Sequence, residues 1–162
     1  LVAEFFGKEY LSQVEEDEFY RGFGQLAATL PSRAILRAYH FFNENKRVQN
    51  QARALRENHF QEFLKLVRES GFSSYMYNQN IYSPGNASEQ PLALALAFSE
   101  SILKKRGAFR VHGGGFAGTI QAFVPNDLLD EYREKIDSVF GKGACIVTTI
   151  RPFGAKEITF DG

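Results

Sequence analysis

The hydrophobic period of this chain changes at Gly107, and that change constrains the fold more than any other feature. Upstream, apolar residues recur at helical spacing; downstream they alternate or run together as in strands. From Gln13 to Thr29 the set Val14, Phe19, Phe23, Leu26 and Ala27 is helical, interrupted by Gly22 and Gly24. Pro31-Ser32 opens a longer helix whose seam is Ile35, Ala38, Tyr39, Phe42, Val48, Ala52 and Leu55. Asn45 lies in that seam, where a polar side chain is satisfied by an interhelical hydrogen bond or by a ligand. Asn58 and Gln61 have capping-box spacing ahead of Phe60, Phe63, Leu64 and Val67, a helix expected to stop at Ser70-Gly71. A polar and aromatic stretch from Phe72 to Asn86 ends in the turn signal Ser83-Pro84-Gly85-Asn86. Ser88 is then the expected cap of a helix with Leu92, Ala95, Leu96, Ser99 and Leu103 inward. Lys104, Lys105 and Arg106 suit its last turn, where cations complement the helix dipole; a phosphate patch is the other use of such a trio.

Beyond Gly107, Ala108 to His112 reads as a strand, a glycine-rich loop follows, and Thr119 to Val124 reads as a second strand. Asn126 and Asp127 are expected to cap a helix that turns Leu129, Tyr132, Ile136 and Val139 inward. Gly141-Lys142-Gly143 breaks it, Cys145 to Ile150 is a continuous β-prone run, and Lys156 to Phe160 adds a last short strand. Helices first and strands afterwards predict an α+β domain, its helices packed on one face of a mainly antiparallel sheet. At 162 residues the chain is one domain by length. It opens on Leu1 rather than Met, so a fragment of a longer protein is expected.

Composition narrows the function classes. Lys+Arg and Asp+Glu each total 19, so no basic excess points to nucleic acid. An RNA-binding module would use sheet aromatics such as Phe109 and Phe123, but the basic-glycine-aromatic signature is missing. No apolar run reaches the roughly 18 residues of a membrane span, and Leu1 to Phe6 lack the basic n-region and cleavage site of a signal peptide. The single cysteine, Cys145, reads as an inert thiol in a reducing cytosol, and a cytoplasmic location is expected. His40, His59 and His112 have no zinc-ligand spacing, and no Gly-x-Ser-x-Gly elbow occurs. The acidic run Glu15 to Glu18 reads as a solvated helix start.

What remains as chemistry is His112-Gly113-Gly114-Gly115-Phe116-Ala117-Gly118. Gly113, Gly114, Gly115 and Gly118 expose backbone N–H groups and allow positive φ. Gly113, Gly115 and Gly118 match G-x-G-x-x-G, yet a strand rather than a helix follows, which removes the dinucleotide reading. Without a Gly-Lys-Ser/Thr, a Walker A loop is excluded as well. A tight turn with no ligand and a backbone site for something anionic both remain.

The segment Arg110-Val111-His112-Gly113-Gly114-Gly115-Phe116-Ala117-Gly118 resembles the third motif of the GHMP sugar and metabolite kinases, most closely that of galactokinases. Arg33 to Val48, with its Arg-Ala, His40 and Glu44-Asn45-Lys46-Arg47, is similar to a galactokinase segment, as are Glu69 to Ser74 and Phe140 to Pro152. The resemblance implies a single GHMP kinase C-terminal-type domain over 1–162, ferredoxin-like, with a helical part at 13–105 and a β-loop-β-α-β part at 108–160. It also implies a missing N-terminal domain, because the sugar signature Arg-x-Asn-Leu-Ile-Gly-Glu-His and the loop Pro-x-x-x-Gly-Leu-Ser-Ser-Ser do not occur here. ATP, Mg2+ and the sugar substrate are then bound mainly by that other domain, and no catalytic residue is assigned to this chain. Gly113, Gly114, Gly115 and Gly118 would shape the phosphate end of an interdomain site. One stretch departs from the family: Tyr75 to Tyr82 carries no carboxylate where galactokinases have an Asp-rich run. A different substrate, or a galactokinase-like sensor that binds without turnover, would suit that departure.

Overall fold

A computed structural model describes residues 1–116 and 118–150. The helices are α1 (Val2–Phe5), α2 (Glu16–Arg21), α3 (Phe23–Thr29), α4 (Ser32–Arg56), α5 (Phe60–Ser73), α6 (Pro91–Leu103) and α7 (Leu129–Phe140). One turn of π-helix, Ser74–Asn78, continues α5. The strands β1 (Ala108–Val111) and β2 (Ile120–Phe123) form an antiparallel hairpin, with Ala108 opposite Phe123 and Val111 opposite Ile120. The α+β class stands, and the change of period at Gly107 marks the boundary between helices and hairpin.

Packing follows the apolar stripes. Phe19 and Leu26 are fully buried against Ile35, Ala38 and Phe42 of α4, which ties the amino-terminal helices to the long one. Leu64 and Val67 of α5 close on Ala108 of β1. Leu92 and Leu96 of α6 pack with Ile81 and Val111. Ile102 and Leu103 at the end of α6 pack with Tyr132 and Ile136 of α7, and a hydrogen bond of 2.8 Å joins the Ser99 and Tyr132 hydroxyls. Each of these clusters holds an element that borders the glycine loop or its support.

Several local expectations give way to other interactions. Asn58 does not cap α5. It adopts φ +57° at the end of α4, where its N–H donates to Leu55 O (3.2 Å) and that of His59 donates to Ala54 O (2.8 Å). This paired closure needs a left-handed residue, and Asn tolerates that conformation. The helix α5 does not stop at Gly71. A Cβ there would lie 3.0 Å from Phe109 O and 3.2 Å from Arg110 Cβ, so this glycine permits close approach to β1 rather than ending a helix. Ser88 is not a cap: its hydroxyl donates to Asn86 Oδ1 (3.0 Å), and α6 starts at Pro91 behind Gln90.

Along α4 the carboxyl-terminal half of the expected seam is turned outward. Asn45, Val48 and Leu55 are exposed, so Asn45 needs no buried partner. Val139 of α7 is likewise exposed. Residues 145–150 pair with no strand among the described residues, and Ile146, Val147 and Ile150 are exposed. The short strand expected at Lys156 to Phe160 lies outside the described residues. Among the described residues no helix is long and apolar enough to cross a membrane.

Candidate functional site

The site is built on the turn of the hairpin. Strand pairing runs one step past Val111, with His112 N–H donating to Thr119 O (3.0 Å), so the loop between them is a closed excursion. Within it, φ is +66° at Gly113, +77° at Gly115, +57° at Phe116 and +84° at Gly118, whereas Gly114 stays negative. The sign of φ thus alternates over Gly113, Gly114 and Gly115. Gly113 and Gly114 are the central residues of a turn from His112 to Gly115, and among the described residues nothing accepts a hydrogen bond from the N–H of either. Around Gly113, Gly114 and Gly118 a Cβ would meet open space.

Gly115 is different. A Cβ at this position would fall 2.0 Å from Asn80 O and 2.7 Å from Asn80 Nδ2. The loop and Asn80 are in backbone contact: Phe116 N–H donates to Asn80 O (3.0 Å), and Asn80 Nδ2 donates to Gly114 O (3.1 Å). Asn80 itself is buried, 3% exposed. It belongs to the stretch that departs from the galactokinase pattern, so a segment singled out for its missing carboxylates supports the glycine loop.

That stretch is held in turn by α4. Gln79 adopts φ +54°, Arg33 Nη2 donates to Gln79 O (3.3 Å), and Arg37 Nε donates to Asn78 O (3.1 Å). Both arginines also line a cleft of about 750 Å³ that includes His40, Glu44 and Asn78.

Behind the loop lies a partly buried polar cluster joining α4, α5 and β1. Glu44 pairs with Arg47 and accepts from the Ser70 hydroxyl, and Arg110 Nη1 donates to Ser70 Oγ (2.6 Å) and approaches Glu44 Oε1 (3.4 Å). His40 Nδ1 lies 2.8 Å from Ser73 Oγ. Burial holds His40 below the ordinary imidazole value; Glu44 pulls the other way, and Arg47 and Arg110 add to the lowering. His40 is therefore neutral near pH 7. The Cys145 thiol is pushed up by partial burial and then by the Asp137 carboxylate, so it stays protonated and a poor nucleophile.

The expected glycines thus form one loop. What sequence reasoning did not single out are Asn80, Arg33, Arg37 and Ser70 as the groups that brace it. The arginines and Ser70 lie in the segments that carried the family resemblance, and that was their only signal.

No family model matches the chain. Three curated relatives are all galactokinases. That of Haemophilus influenzae is 31% identical over 141 residues, covering 87% of this chain and 35% of the relative. That of Glaesserella parasuis is 30% identical over 148 residues, 91% of this chain and 36% of the relative. That of Actinobacillus succinogenes is 30% identical over 141 residues, 87% and 34%. The chain spans about a third of the length of the curated relatives it matches. With that similarity running along nearly its whole length, the chain is a relative of the galactokinases.

Proposed function

We propose that the chain is the C-terminal domain of an ATP-dependent, cytoplasmic sugar kinase that phosphorylates galactose on its anomeric hydroxyl. Gly113 to Gly118 would complete the phosphate end of an active site shared with an N-terminal domain. The observation that carries this reading is the loop itself: the N–H groups of Gly113 and Gly114 have no acceptor among the described residues, and φ alternates in sign from Gly113 to Gly115. Phosphoryl transfer spreads charge over the equatorial oxygens of the moving group, and catalysis is mostly positioning and charge stabilisation. Fixed main-chain donors suit that task and need no titratable side chain. Mg2+ and ATP would be held mainly by the other domain, as the likeness to galactokinases implies.

Two measurements test this. In the whole protein, Gly115→Val should lower galactose-dependent kcat by about 100-fold, the scale of a 1 Å misplacement at a reacting centre. A β-branched side chain there meets Asn80 O and forbids the positive φ. Wild-type turnover in that variant would sink the loop's role. The 162 residues alone should leave ATP intact in the presence of galactose. Titration of the whole protein with galactose and Mg-ATP separates the alternative: binding without product would favour a galactokinase-like sensor.

A further inference from the structure

We propose that Asn80 is the positioning residue of the glycine loop, and that Arg33 and Arg37 set Asn80 in place from α4. This rests on the reading of the loop as the phosphate end of the site and says what keeps it in shape.

Asn80 uses both its main chain and its side chain on the loop. Its carbonyl takes the Phe116 N–H, its Nδ2 donates to Gly114 O, and its backbone fills the space where a Cβ on Gly115 would be. The three contacts fall on three successive loop residues, two of them with positive φ. Gly114 O and Phe116 N–H are engaged by Asn80, while the N–H groups of Gly113 and Gly114 have no acceptor among the described residues. The side-chain amide works in one orientation only. Reversed, Oδ1 would face Gly114 O, lone pairs against lone pairs. Asn80 is therefore not interchangeable with Asp, although the two have the same shape.

The support extends one layer further. Asn80 directly follows Gln79, whose left-handed backbone is uncommon for a non-glycine residue and needs outside help. Arg33 and Arg37 supply it by donating to the carbonyls of residues 79 and 78. Among the described residues neither arginine hydrogen-bonds to the loop, so both act on it through residues 78–80.

The test uses the whole protein, with Asn80→Asp and Arg37→Gln as separate variants. Amide hydrogen exchange and steady-state kinetics are measured on each, with α7 amides and thermal unfolding as controls. For Asn80→Asp, exchange at Phe116 should rise about tenfold, and α7 should not change. The same variant should lose kcat about tenfold while KM for galactose holds, because the sugar is bound elsewhere. Arg37→Gln, on the exposed side of the turn, should shift both readouts the same way by less, and it keeps the test open if Asn80→Asp unfolds. Unchanged Phe116 exchange in both variants would overturn the role of Asn80, even with Gly115→Val slow. Faster exchange with wild-type turnover, in these variants and in Gly115→Val alike, would overturn the reading of the loop on which the proposal stands.

Discussion

Arg110 shows how much one side chain can join. It stands on β1 two residues before the loop, and its guanidinium reaches Ser70 on α5 and Glu44 on α4. Ser70 is fully buried and its hydroxyl bridges the arginine and the carboxylate. Arg110→Met should therefore destabilise the fold by about 1–3 kcal/mol, since a buried hydroxyl and a carboxylate lose a charged donor; a lowered urea midpoint at unchanged m-value checks it. His40 yields a pH prediction. Its folded-state pKa is lowered, so the unfolded chain binds its proton first as the medium is acidified. The stability it protects is complete above about pH 6.5 and is lost as pH falls from there through the folded value. His40→Gln should flatten that part of a plot of Tm against pH, and an equally steep plot in the variant would refute the assignment. At this scale little was legible in advance. Glu44, Arg47, Ser70 and Arg110 could be recognised as members of familiar segments, but no local spacing says that residues 66 positions apart will meet.

At the scale of elements the sequence was more readable, and its failures have a common cause. Periodicity placed α4, α5, α6, α7 and both strands, because each buries one stripe against the next. The ends were harder. Asn58 offered two roles at once, cap of the following helix or left-handed closure of the preceding one, and the short connection between α4 and α5 selected the second. Gly71 resembled a stop signal, yet its reason is the strand beside it. Gly71→Val should lower stability by about 1–3 kcal/mol or more, because the added atoms drive into Phe109 O and Arg110 Cβ. Thermal unfolding measures this, and a Tm at or above wild type would show that α5 can withdraw from β1 at no cost. The glycine loop could be recognised as exposed backbone. Its brace could not, since Asn80 lies 34 positions from Gly114 in an irregular stretch with no period to read.

For the whole molecule, the buried apolar side chains gather in four clusters, and, among the described residues, 146–150 belong to none of them, although Cys145 packs against the α6–α7 cluster. Ile146 and Ile150 are 79% and 87% exposed, and such β-prone edges invite association. Ile146→Lys with Ile150→Lys should leave the unfolding free energy within about 0.5 kcal/mol, as surface changes do. The pair should also reduce concentration-dependent association of the 162-residue chain in sedimentation. Equal association would place the sticky surface elsewhere. The run 145–150 has the composition of a strand, and a strand needs a partner as well as a propensity; among the described residues none pairs with it. The contact between Gly115 and Asn80 carries a consequence for inheritance. Every missense change at the Gly115 codon brings in a Cβ, and the main chain of Asn80 already occupies that position. Only the silent third base of that codon is then free to drift, whereas Gly113 and Gly118 are held to glycine by positive φ alone and Gly114 by neither φ nor space.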